Sequence, residues 1–309
     1  MPNPLRDISI ESGRLRFDAL SQGEGPLVLC LHGFPDHNRS FLPLLDALAA
    51  SGYHGVAPLI RGYQPESQSS DGRYPLHRMA ADVIAWADAL AAPRFHVVGH
   101  DWGAVIGYAA AARFPQRLLS LSTMAVPHLR GPQDLAKVPS QLFKSWYMLF
   151  FQLPWLPEIA IELGDFALIE FLWRRWSPGY RLAPAEIAAI KRTFSQHGVK
   201  RAALGYYRGL RDLVSSEGRR SLALFSKPIH VPTLALTGAD DGCIDTRLYD
   251  RAFDRRRFPA GLQVERIHGA GHFLHLEEPE KVNQHIVAWI ERHDDRGTDR
   301  AQGEHDGRR

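Results

Sequence analysis

Apolar and polar positions change rhythm several times along the chain, and each rhythm predicts a different element. Leu15–Leu20 and Pro26–Leu31 are short β-rich runs, the second almost continuously apolar, which suits a central strand covered on both faces. Apolar positions recur at helical spacing over Phe41–Ala50 and Leu76–Leu90, and strand-like runs stand at His54–Leu59, Phe95–Val98 and Leu118–Ala125. The Ala-rich stretch Gly103–Arg113 reads as the helix between the last two. Such alternation predicts a mostly parallel sheet with helices on both faces.

The rhythm breaks after Val126-Pro127. From His128 to Pro228 no strand pattern stands out. Pro139–Phe151, Ala183–His197 and Val199–Glu217 read as helices, the first with proline at its opening position. Strand–helix alternation resumes at Thr233–Thr237 and Val264–His268 and closes with a helix over Pro279–Arg292. The expected organisation is one α/β core, residues 1–127 and 229–293, interrupted by an all-helical insertion at 128–228 and followed by a tail at 294–309. The chain from Arg292 onward, RHDDRGTDRAQGEHDGRR, mixes both charge signs with almost no apolar residue, so the tail is expected to be solvated or disordered.

Composition narrows the function classes. The chain has 309 residues, 45% of them hydrophobic and 23% charged, enough to bury a large core. Its 37 basic and 34 acidic residues leave a formal net charge of +3. No dense Lys/Arg run interleaved with aromatics occurs, so nucleic acid is not an expected partner. The start, MPNPLRDISIESG, lacks the pattern of a secretory signal. The longest apolar candidate, WYMLFFQLPWLPEIAIEL, is broken by Gln152, two prolines and Glu158, and no membrane span is expected. A reducing, cytoplasmic setting follows as the default. Cys30 sits in the apolar run LVLCLHG as a small buried hydrophobe, and with Cys243 it makes neither a disulfide framework nor a metal motif. No metal or organic cofactor is implied, and oligomeric state is not inferable.

The strongest chemical signal is Val97-Val98-Gly99-His100-Asp101-Trp102-Gly103-Ala104, between a buried strand and an Ala-rich helix. It matches G-x-nucleophile-x-G, where small residues flank a sterically tight turn and the nucleophile projects at a helix N-terminus. The plainer alternative is that Asp101 caps the helix. Leu31-His32-Gly33-Phe34-Pro35 follows an early buried strand, where such a fold places its second oxyanion donor. The Phe34 and Trp102 N–H groups are therefore the candidate oxyanion hole, with His32 as a hydrogen-bonded residue shaping the loop. An acid and a histidine should follow the nucleophile in that order. Asp241 lies just beyond the strand Thr233–Thr237, with Asp240 and Asp245 as alternatives. His272, framed by Gly269-Ala270-Gly271, lies beyond the next strand, with His268 and His275 as competitors.

An aspartate nucleophile changes the chemistry. Attack on an acyl group would give a mixed anhydride, whereas attack on a saturated carbon bearing a leaving group gives an ester that water can hydrolyse. His272 would deprotonate that water and Asp241 would orient the ring. The oxyanion hole would then stabilise the tetrahedral intermediate on Asp101.

On these motifs the chain resembles the epoxide hydrolases of the α/β-hydrolase superfamily, over about Ile8 to His293. The resemblance implies an α/β-hydrolase fold with an inserted helical cap, and hydrolysis of a small apolar epoxide to a vicinal diol through an ester on Asp101, with water as co-substrate. In that family two cap tyrosines donate hydrogen bonds to the epoxide oxygen. The segment Trp146-Tyr147-Met148-Leu149-Phe150-Phe151-Gln152-Leu153-Pro154 resembles the first cap motif and points to Tyr147. Gly205-Tyr206-Tyr207-Arg208 resembles the second and points to Tyr207, with Tyr206 the neighbour it must be told from. Arg61-Gly62-Tyr63 matches a recurrent family loop, but Gln64-Pro65 follows where family members usually continue with Gly. Phe34, Trp102, Trp146, Phe150 and Phe151 are the candidate substrate-binding residues, and the aromatic cap suggests an apolar substrate.

Two rival readings compete with this one. Haloalkane dehalogenases share the Asp101-Trp102 pair but commonly carry Asn or Glu where this chain has Phe34, which removes a halide donor. Haloacid enzymes place an arginine just after the nucleophile, and Trp102 through Gly107 contains none. A catalytically silent binder on the same fold would be expected to lose Asp101, Asp241 or His272, and all three are present.

Overall fold

A computed structural model describes residues 3–130, 134 and 137–294, so most of the charged tail lies outside the described residues. Among the described residues, eight strands form one sheet. They are β1 (Arg6–Ser12), β2 (Leu15–Gln22), β3 (Leu27–Leu31), β4 (His54–Pro58), β5 (Phe95–His100), β6 (Leu118–Met124), β7 (Thr233–Gly238) and β8 (Leu262–Ile267). Their order is β1-β2-β4-β3-β5-β6-β7-β8. The β1/β2 and β2/β4 pairs are antiparallel, and every pair from β4/β3 to β7/β8 is parallel. The strand β1 was not foreseen, because its exposed, polar RDISIES sequence carries little apolar signal.

Alternation along the strands divides the interior in two, since successive side chains point to opposite faces. Val28, Cys30, Val98, Leu234 and Leu236 face one side and pack with α1 (Leu42–Ala50) and the last helix, Pro279–Arg292, through Leu44, Leu45, Leu48, Ile286 and Ile290. Leu27, Leu29, Leu31, Val97 and Ala235 face the other, against α2 (Leu76–Ala89) and α3 (Trp102–Arg113) through Met79, Val83, Trp86 and Ile106.

Between Met124 and Thr233 the described residues contain helices but no strand. They are α4 (Pro139–Lys144), α5 (Trp146–Phe150), α6 (Leu156–Trp176), α7 (Pro184–Ser195), α8 (Val199–Gly209) and α9 (Ser216–Ser226). The core resumes with β7, α10 (Thr246–Ala252), β8, α11 (Leu274–Glu277) and α12 (Pro279–Arg292). Three details of this insertion differ from expectation. The stretch Pro139–Phe151 is two helices parted at Ser145. The expected Val199–Glu217 helix ends at Gly209, because Ser215 caps a new helix by accepting from the Gly218 N–H. The long α6 is not among the expected helices. Its periodicity is interrupted by non-helical backbone at Leu163, Gly164, Asp165 and Phe166. Among the described residues no helix is long and apolar enough to cross a membrane.

Candidate active site

The parallel strands end at one edge of the sheet, and the loops leaving β3, β5, β7 and β8 there carry the chemistry. Between β5 and α3 stands a single residue, Asp101, with φ 51° and ψ −116°. A non-glycine residue holds such backbone only where its surroundings impose it. The crossing is very close: a Cβ on Gly103 would lie 1.9 Å from the Leu31 carbonyl oxygen, and one on Gly33 would lie 2.4 Å from the Asp101 Cβ. The plain reading of Asp101 as a helix cap fails, because its side chain makes no capping bond to α3. Its Oδ1 accepts instead from the Phe34 N–H at 2.8 Å, and Trp102 opens the helix beside it. The Phe34-Pro35 peptide is cis. Both ring nitrogens of His32 brace this loop: Nε2 accepts from the Ile60 N–H at 3.2 Å, and Nδ1 lies 3.1 Å from the Gly33 carbonyl.

His272 sits between two carboxylates. Its Nε2 is 3.5 Å from Asp101 Oδ2, and its Nδ1 is 3.0 Å from Asp241 Oδ2. The other oxygen of Asp241 accepts from the Cys243 and Ile244 N–H groups at 2.7 and 2.8 Å. Asp240 points to solvent, while Asp245 caps α10 and pairs with Arg247. Of the competing histidines, His268 is exposed and His275 lies behind the trio, stacked on Phe41. Burial alone would depress the His272 imidazolium, but Asp241 and the contact with Asp101 outweigh it and push its pKa up to about 10. Burial likewise opposes ionisation of Asp101, yet His272 outweighs it and holds the carboxyl below its usual range. Both shifts run in the direction of a charged pair between His272 and Asp101.

Several groups that hold these residues left no sequence signal. The carbonyl of Trp176, at the end of α6, accepts both the Gly242 N–H at 2.9 Å and the His272 N–H at 3.0 Å, so one cap peptide ties the acid loop to the histidine loop. Ser177 Oγ accepts from the Phe273 N–H, and Glu277 accepts from the Gly271 N–H at 2.9 Å. From the core side, His100 Nε2 lies 2.9 Å from the His272 carbonyl. A main-chain carbonyl can belong to any residue type, and serine and glutamate are too common to mark such a role.

The insertion covers the trio with aromatic rings. Tyr147 and Tyr207 are buried with ring centroids 5.8 Å apart, and Phe151 and Phe34 pack against Tyr207 at 5.1 and 5.4 Å. Trp102 meets Tyr207 edge-on at 5.1 Å. Burial pushes both phenols well above their ordinary pKa, so they stay protonated donors. Tyr206 turns away and donates to the Arg61 carbonyl. Phe150 is half-buried against Phe151, and Trp146 forms the partly exposed outer rim of the cluster, edge-on to Tyr147 at 6.4 Å. The loop after Arg61 keeps its order despite Gln64-Pro65, since buried Gln64 accepts from the Asp18 N–H and Tyr63 donates to the Gly33 carbonyl.

Among the described residues, the group that could hold a metal ion is Asp36, His100 and His275, whose ligating atoms lie within 4.8 Å of one another. All three are buried, and burial pushes the Asp36 carboxyl up to about 7. A carboxylate, a histidine paired with a second carboxylate and two buried phenol donors can together attack a carbon, protonate a leaving oxygen and hydrolyse the resulting ester.

The chain is similar to known proteins over most of its length. The family model of the alpha/beta hydrolase fold matches residues 26–279. Epoxide hydrolase 3 of Xenopus tropicalis is 31% identical over 288 residues, covering 90% of this chain and 76% of the relative. Epoxide hydrolase 3 of Mus musculus is 29% identical over 281 residues, covering 90% and 74%. The crystal structure of Bacillus megaterium epoxide hydrolase in complex with an inhibitor superposes with a TM-score of 0.80 at 25% identity, covering 92% of this chain and 100% of that one. With a family match over most of its length and relatives at this level, the chain belongs to the α/β-hydrolase fold family and, within it, to the epoxide hydrolases.

Proposed function

We propose that this chain hydrolyses apolar epoxides to vicinal diols through a covalent ester on Asp101. The observation that carries the reading is the placement of Asp101: a strained, buried carboxylate within 3.5 Å of a histidine that a second carboxylate orients. Tyr147 and Tyr207, buried against each other and both within electrostatic reach of Asp101, are suited to donate to the epoxide oxygen as it becomes an alkoxide. Attack by one Asp101 oxygen on an epoxide carbon forms a C–O bond and breaks the C–O bond of the ring.

The raised pKa of His272 fits a two-step sequence. In the free enzyme the imidazolium is held by both carboxylates and is no base. Esterification removes the charge on Asp101, so one counter-ion is lost and the imidazole becomes free to act as base. The proton count closes, since the alkoxide needs one proton and the imidazolium has one to give. Water then delivers a proton to His272 and its hydroxide to the Asp101 carbonyl carbon. The Phe34 and Trp102 N–H groups are suited to hold the oxyanion. Collapse releases the diol and restores the carboxylate–imidazolium pair.

The substrate class is read from the walls: Phe34, Phe151 and Trp102 leave few polar partners apart from the reacting groups. The deep burial of Asp101, Tyr147 and Tyr207 implies that substrate enters by displacement of side chains or cap. A cytoplasmic location, without a membrane span, is the setting proposed.

Diol formation from a panel of aryl and alkyl epoxides, with Asp101→Asn as control, tests the reading. Turnover that vanishes in the control is expected, a loss on the order of 10⁴-fold or more. Halide release from haloalkanes with no diol from any epoxide would replace the reading by dehalogenation.

A further inference from the structure

The acid loop carries a second chemical group whose position is as closely fixed as that of Asp241. Cys243 is fully buried, and both of its backbone groups are engaged. Its N–H donates to Asp241 Oδ1 at 2.7 Å, and its carbonyl accepts from Gln141 Nε2 at 3.0 Å. Gln141, on α4, also accepts from the Asp245 N–H at 2.7 Å, and Lys144 donates to the Asp241 carbonyl at 2.6 Å. The loop from 241 to 245 is thus bonded on one side to the histidine's acid and on the other to the cap. The Cys243 side chain is aimed by this double hold, and its Sγ lies 3.3 Å from the Tyr147 hydroxyl.

Tyr147 has one hydroxyl proton. If that proton goes toward a substrate oxygen, negative charge grows on the phenol oxygen, and a donor to that oxygen lowers the energy of the change. The thiol is the group in reach. Burial keeps it protonated, which leaves its S–H free to donate. Sulfur is a weak partner, so it steadies the phenol oxygen without competing for the proton that the reaction needs.

We infer that Cys243 is a positioning residue for epoxide opening, donating its S–H to the Tyr147 oxygen so that the Tyr147 O–H is directed at the substrate. This rests on the proposed role of Tyr147. No bond to the thiol is made or broken, and Cys243 acts only through the tyrosine.

A double-mutant cycle on the full chain tests it, with single-turnover ester formation and ester hydrolysis measured separately. Cys243→Ala is expected to slow ester formation about three- to tenfold, the range of one modest hydrogen bond, and to leave hydrolysis unchanged. In a Tyr147→Phe background the same substitution should have no effect, and Cys243→Ser, which restores a donor, should recover most of the rate. Equal losses in both backgrounds, or a loss confined to hydrolysis, would overturn the inference while leaving the functional reading intact. A Tyr147→Phe chain that forms ester at full speed would instead remove the role of Tyr147, and the inference with it. Should Cys243→Ala not fold, the infrared S–H stretch of the otherwise unaltered chain decides. A shift to higher frequency in Tyr147→Phe supports the bond, and an unmoved band contradicts it.

Discussion

The core and the cap hold their halves of the site by different means. In the core, Asp101, Asp241 and His272 are charged or chargeable and stand one to a few residues beyond strand ends. They are fixed by backbone N–H groups and by each other at 2.7 to 3.5 Å. In the cap, Tyr147 and Tyr207 are neutral and are held mainly by ring packing. Tyr147 has a thiol as its hydrogen-bond partner, and the Tyr207 oxygen has no well-formed partner among the described residues, with the Trp102 indole as its polar neighbour. A charge buried without good partners costs several kcal/mol, so the charged half must be rigidly satisfied. The donors must remain available to a substrate, and strong internal partners would compete with it. Cap and core meet at the Trp176 carbonyl and the Gln141 amide, where cap groups bind the acid and histidine loops directly.

This contrast can be broken in order of expected effect. His272→Gln removes the base but not the nucleophile. It should lower diol formation by more than about 10³-fold while changing ester formation far less, so intact-protein mass spectrometry should find a substrate-sized adduct on the Asp101 peptide. Conversion of both cap phenols, Tyr147→Phe with Tyr207→Phe, should act on the other step. Ester formation should fall by about 10²- to 10⁴-fold, the range of general acid catalysis, with no adduct accumulating. Wild-type rates in the double variant would refute the division of labour.

Within the cap, inner and outer positions should separate on stability. Gln141→Leu leaves the Asp245 N–H and the Cys243 carbonyl without their partners. It is expected to cost about 2 kcal/mol, measured by denaturant unfolding. Leu149→Ser, on an exposed face of α5, should stay within about 0.5 kcal/mol. Equal effects would mean that the cap is not anchored through the acid loop.

The smallest effect is a titration. Because the His272 pKa is raised in the folded chain, its contribution to stability is fully present below about 6.5 and is lost as pH rises through about 10. Asp101 is held low, so its contribution is present above the ordinary carboxylate range and lost as pH falls through its depressed value. Removing one counter-ion with Asp101→Asn should move the His272 imidazole titration, followed by NMR, below the wild-type value. An unchanged titration would show that Asp101 does not hold the imidazolium.

The same contrast governs how much was legible in the sequence. Core residues follow strand ends, and strands with helical partners write a period into the chain. Asp101, Asp241 and His272 could be placed by order and by flanking glycines, and the fold brings them together. The cap offers no such grammar. Tyr147 and Tyr207 came from resemblance alone, and α6 was missed because its periodicity breaks at Leu163–Phe166. Trp146, grouped by sequence with the substrate-facing aromatics, is partly exposed and packs on the outer side of Tyr147 and Phe150. Cys243 drew attention only as an isolated cysteine, because nothing in local sequence shows which side chain from 96 residues away will meet it.

The central claim is that an Asp101 oxygen, not water, makes the first bond to substrate. A single turnover in ¹⁸O-water, with enzyme in excess over epoxide, tests it most directly. The account predicts that the diol carries unlabelled oxygen from Asp101 and that the label appears in the Asp101 carboxylate, found by mass spectrometry of its peptide. Labelled diol with an unlabelled Asp101 peptide would mean direct attack by water, and the covalent mechanism would be wrong.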